Sequence, residues 1–139
     1  MTQHLILRVV SKLLIPFLFL FALYVQFHGD FGPGGGFQAG VIVAAAFVLY
    51  GLIFGLKAVQ RVVPPAALEI AVPLGVLIYA GVGVVNWFLG GNFLEYGTID
   101  SHDPAHGNHL GILLVEAGVL CTVASTMLLI FYTFAGRGR

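Results

Sequence analysis

The chain has 139 residues, of which 59% are hydrophobic and only 9% charged, with zero formal net charge and a mean hydropathy of +1.00. That balance excludes a soluble domain and predicts an all-α integral membrane protein, read as one membrane domain over 1–139. Six basic residues form no continuous cationic surface and no nucleic-acid motif occurs, so nucleic acid is excluded as a partner.

A bilayer core of about 30 Å needs roughly 20 apolar residues in helical form, and four stretches qualify: 5–27, 37–56, 66–89 and 109–134. Arg8 and Lys12 at the start of the first stretch imitate a signal peptide. No small-residue cleavage site follows in "YVQFHGD", so the stretch is read as a retained first span. Pro16 is expected to kink it.

Between spans one and two lies "HGDFGPGGGFQAG", residues 28–40. A phosphate-binding loop needs Lys followed by Ser or Thr after its glycines, and neither is present. Two readings stay open: backbone carbonyls facing a transported cation, or a tight corner that lets the second helix start abruptly, with His28 and Asp30 exposed beside it. The second span supports close packing, because Gly36, Gly40 and Ala44 follow at four-residue steps and Gly51 and Gly55 repeat the spacing.

The next connection carries Lys57 and Arg61. Glu69 then falls in the first turn of the third span, where the positive end of a helix favours an acid, and Pro73 would release the carbonyl of Glu69. The connection from Asn92 to His109 holds His102, His106 and His109 with Asp100 and Asp103. It is read as a solvated or partner-docking loop in preference to a metal site. Cys121, the sole cysteine, is read as a small buried hydrophobe.

Glu116 lies about two turns, roughly 10 Å, into the fourth span, where an ionised carboxylate must be paired, hydrated or protonated. His109 precedes it by seven residues on the same face, so the two are expected to form an acid and imidazole pair. Gly111, Gly118, Thr122 and Ser125 form a small-residue stripe on that helix.

Arg8, Lys12, Lys57, Arg61, Arg137 and Arg139 all fall on one side of a four-span topology, which predicts both termini in the cytoplasm. Asp30, Glu95, Asp100 and Asp103 fall on the other side. Tyr24, Trp87 and Phe88 sit near the outer ends and Tyr50, Tyr132 and Phe134 near the inner ones, as interfacial rings should.

The motifs "HGDFGPGGGFQAG" and "HLGILLVEAGVLCTV" together resemble the MnhB family, one of the small subunits of the Mrp-type multisubunit sodium/proton antiporters, over nearly the whole chain. The matching positions are Pro33, Gly34, Gly35, Gly36, Phe37 and Gly40, then Gly111, Glu116, Gly118 and Val119. Ala39 stands where many relatives carry another glycine. The resemblance implies a small multi-pass component of a bacterial plasma-membrane complex that exchanges sodium for protons. It implies other antiporter subunits, membrane lipid, sodium ions and protons as partners, and similar subunits occur in membrane-bound hydrogenase-type complexes. Larger subunits of such complexes carry intramembrane lysines, which this chain lacks.

No nucleophile, nucleotide loop or cofactor motif is present, so the chain is expected not to be an enzyme and to need no cofactor. Glu116, with His109 and Glu69 added from the residue reading, is the candidate for an ion path. The alternatives are a scaffold subunit that ions never touch and, third, a haem or metal-binding redox subunit.

Overall fold

A computed structural model describes residues 3–137, so Arg139 lies outside the described residues. Among these residues there is no strand, and four helices are long and apolar enough to cross a membrane. Helix α1 runs Gln3–His28, α2 Gly36–Phe54, α3 Leu56–Val62, α4 Pro65–Phe88 and α5 Pro104–Gly136.

The boundaries follow from local chemistry. Helix α2 stops because Gly55 takes a positive φ of 96°, a conformation glycine adopts without penalty, and its N–H closes on the Gly51 carbonyl. The short α3, with Lys57 and Arg61, then turns the chain toward Pro64 and Pro65, and Pro65 opens α4 where a missing N–H costs nothing. Helix α5 starts five residues before the apolar run, because the Asp103 carboxylate accepts from the N–H groups of Ala105 at 3.1 Å and His106 at 3.3 Å and Pro104 takes the first helical position. Pro16 and Pro73 both lie inside continuous helices.

The helices pack in the order α1, α2, α5, α4, with α5 between α2 and α4. Helices α2 and α5 run the same way. Gly36 faces Glu116, Gly40 faces Leu120 and Gly51 faces Phe131, a constant offset of 80 along the chain. Such a fixed register needs small residues on one helix, and Gly36, Ala39, Gly40, Ala44 and Gly51 are all buried.

On its other side α5 meets α4 in the opposite direction. Gly118 packs on Gly75, Thr122 Oγ1 donates to the Val72 carbonyl at 3.3 Å, and the Cys121 thiol donates to the Ala71 carbonyl at 3.4 Å. Gly118 and Glu116 are two residues apart, about 200° around the helix, so they serve opposite neighbours.

Two ends can be distinguished. The basic end carries Arg8, Lys12, Lys57, Arg61 and Arg137. It encloses the core cluster Val59, Leu68, Leu128 and Tyr132, where the Tyr132 hydroxyl donates to the Val63 carbonyl at 2.9 Å. The corner end carries the α1–α2 loop and the 89–103 connection, which includes a 3₁₀ turn at Tyr96–Thr98. Leu13, Phe17, Leu20 and Phe21 on α1, and Ile70, Leu74 and Leu77 on α4, are exposed. Apolar surface of that extent suits lipid or a partner helix.

Candidate functional site at the helix corner

At the end of α1 the His28 carbonyl accepts from the N–H groups of Phe31 and Gly32, and the Gly35 N–H returns to the Val25 carbonyl at 3.2 Å. The return is possible because Gly35 holds φ 125° and ψ 176°, a region essentially reserved for glycine. Helix α2 begins at the next residue. A methyl group added to Gly36 would lie 2.0 Å from the backbone carbonyl of Glu116, and one added to Gly29 would lie 2.6 Å from the Glu116 carboxylate. The glycines therefore form a floor on which a half-buried Glu116 side chain rests.

Helix α2 is 19 residues long, about 28 Å, close to the thickness of a hydrocarbon core. Glu116 is level with its first residue. The acid is thus placed at the corner end of the α2 span, not partway down it.

The predicted pairing of His109 with Glu116 is not what the fold makes. His109 Nδ1 instead contacts the Asp30 carboxylate, and the same Asp30 carboxylate is the electrostatic neighbour of Glu116. Asp30 is exposed as a residue, as expected, while its side chain is turned toward His109 and only 14% of that side chain is accessible. His28 is half-buried and stacks on Tyr24 with ring centroids 5.2 Å apart. The corner thus gathers two carboxylates and one imidazole, an arrangement that attracts a cation and can accept or release a proton.

One component escapes a reading of the sequence. Gln26 lies one turn before Gly29, is 5% exposed, and neither atom of its amide has a hydrogen-bond partner among the described residues. It borders a cleft of about 290 Å³ between α1 and α5 with Phe27, Leu113, Leu114, Ala117 and Leu120. Its signal is a lone amide late in an apolar span, the type of group that must find a partner in hydrocarbon.

Other candidates lie elsewhere. Glu69 is exposed on α4, ten residues or about 15 Å along that helix from Tyr79, the residue that packs on Gly118. It is not brought to Glu116. Pro33 and Phe37 are exposed at the corner, while Gly34 touches Gly29 and Val25. Gly111 carries the Tyr96 ring, and Val119 lines an α4–α5 cleft with Gly75 and Gly118. Burial, and secondarily the charge of Tyr79, hold the Tyr96 hydroxyl above its ordinary value of 10.0.

The acids and histidines of the long connection have local duties. Asp103 caps α5, and the Asp100 carboxylate accepts from the N–H groups of His102 and Asp103 and contacts His106 Nδ1 at 3.2 Å. The backbone N–H of Asp103, then that of His102, then the His106 side chain hold the Asp100 carboxyl below its ordinary range.

Four membrane-length helices without a strand among the described residues, and an acid seated on a glycine corner at one end, define a multi-pass helical membrane protein. The model of the family described as "Domain related to MnhB subunit of Na+/H+ antiporter" matches residues 6–129, and the chain belongs to this family. It is 34% identical over 133 residues, 94% of each chain, to a Staphylococcus haemolyticus (strain JCSC1435) protein named "Putative antiporter subunit mnhB2". It is 32% identical, again over 94% of each chain, to the proteins of the same name from Staphylococcus aureus strains Newman and JH1.

Proposed function

We propose that this chain is a small subunit of a multisubunit sodium/proton antiporter in the bacterial plasma membrane, and that Glu116, with Asp30 and His109, borders the cation or proton path. Family membership supports the antiporter assignment. The observation that carries the path assignment is the carboxylate of Glu116 resting on glycine backbone beside the Asp30–His109 pair. An acid kept only for packing would need neither a second carboxylate nor an imidazole. In this reading the basic end and both termini face the cytoplasm, and the corner faces outward, where sodium leaves and protons enter.

The chain acts with partner subunits and lipid, moves ions without making or breaking covalent bonds, and needs no cofactor. Glu69, at the other end of α4, lies too far from the corner to share a ligand with Glu116. In this reading it stands at the cytoplasmic mouth.

Glu116→Gln and Glu116→Ala test the assignment, with complex assembly measured before sodium-dependent proton exchange in everted vesicles. The glutamine variant is expected to assemble and to lose at least tenfold in exchange. A scaffold role is the second reading, favoured by the contact of Gly36 with the Glu116 backbone. Unchanged exchange in an assembled Glu116→Gln complex would establish that reading and remove the first.

A further inference from the structure

At the basic end, α1 and α2 leave between them a cleft of about 300 Å³ lined by His4, Leu7, Arg8, Leu52 and Ile53. His4, Arg8 and Lys12 recur every four residues and so share one face of α1. Arg8 and Lys12 converge on one aromatic ring, with the guanidinium carbon 6.0 Å and the ammonium nitrogen 5.6 Å from the centroid of Phe54 in the last turn of α2. Among the described residues neither is paired with a carboxylate. The ion pairs formed there, Asp100–His106 and Asp30–His109, are both at the opposite end.

Arg8 and Lys12 are both exposed at the end of membrane-spanning helices, with no carboxylate of the described residues beside them, so their charge is open to an anion from outside the chain. In the same cleft Leu7 and Leu52 present apolar side chains, 52% and 68% exposed. Cations at the end of spanning helices beside exposed apolar side chains suit a phospholipid, and basic pockets between spanning helices take anionic headgroups. A soluble phosphate would match the cations but not the walls.

We propose that the α1–α2 cleft binds one anionic phospholipid, its phosphate held by Arg8 and Lys12 with His4 and Leu7 at the rim and an acyl chain laid along Leu52 and Ile53. The site is separate from the corner acids and does not depend on the ion-path reading.

The full-length chain, purified in a neutral detergent, is offered equimolar phosphatidylglycerol and phosphatidylcholine, and bound lipid is counted by native mass spectrometry. One phosphatidylglycerol is expected to be retained in preference, and Arg8→Gln with Lys12→Gln to lower that preference by about fivefold for each cation removed. Arg8→Lys with Lys12→Arg should keep it. Lys57→Gln with Arg61→Gln, on α3 outside the cleft, should also leave it unchanged. Equal retention by wild type and the Arg8/Lys12 double glutamine variant overturns the site. Loss of preference in the Lys57/Arg61 variant to the same extent reduces it to general surface charge, which also overturns it. Competition by millimolar inorganic phosphate as effective as by the lipid assigns the cations to a free anion, against the proposal. If the double glutamine variant loses a co-purifying subunit while still retaining phosphatidylglycerol, the cleft belongs to a protein partner and the lipid site is overturned.

Discussion

Gly36 is the residue at which sequence, packing and site meet most tightly. A side-chain carbon there would stand 2.0 Å from the Glu116 carbonyl, and neither backbone can retreat, because α2 and α5 hold the same register as far as Gly51 and Phe131. Gly36→Ala is therefore expected to destabilise the chain by about 3 kcal/mol, the upper part of the range for overpacking, seen as a lowered thermal midpoint in detergent and reduced yield. Gly55→Ala has open space around it and should cost only the strain of a positive φ. Equal losses from the two substitutions would contradict the close approach at Gly36. Glu116 is legible in the sequence because an acid within an apolar run is costly. Its surroundings are not, since a spacing of seven joins His109 to Glu116 only if nothing else intervenes. The corner at Gly35 brings Asp30 in from a different part of the chain.

At the scale of elements, apolar length is enough to find four spanning helices, because each residue lost to lipid carries a large and additive penalty or gain. The ends are harder to read. The break at Gly55 lies inside an apolar run, and hydropathy is blind to φ. The early start of α5 is available from Asp103 followed by Pro104, a cap and a first-turn proline, but a hydropathy window passes over them. Another joint is held by a hydroxyl: Tyr132 on α5 is 6% exposed and bonds the Val63 carbonyl, which ends α3. Tyr132→Phe should remove this bond and cost about 1 kcal/mol, measured as a fall in thermal midpoint with helix content unchanged. No change in the midpoint would mean that water satisfies Val63 equally well.

For the whole molecule, the basic residues and the corner acids occupy opposite ends, and the positive-inside rule predicts that the basic end faces the cytoplasm. In a Cys121→Ala background, a cysteine at Asp100 is expected to react with a membrane-impermeant thiol reagent in intact cells, and one at Lys57 only after permeabilisation. The reverse pattern would invert the topology and the outward-facing corner with it. The packing order α1, α2, α5, α4 is not legible in the sequence, although its ingredients are. Small-residue stripes on the second and fourth spans mark faces that pack closely, but the stripes carry no address. Only the structure sends Gly36 and Gly40 to one face of α5 and Gly118 and Thr122 to α4.

The central position of α5 also bears on how the chain is made. The α1–α2 hairpin and α4 meet the rest of the fold chiefly through α5, which leaves the ribosome after both. Until residues from Pro104 onward have entered the bilayer, the earlier spans are inserted but largely unjoined. These described helices are therefore joined by a wedge driven between two pieces already in place, and a nascent chain halted before that step would offer quality-control proteases an α1–α2 hairpin and an α4 that do not hold each other.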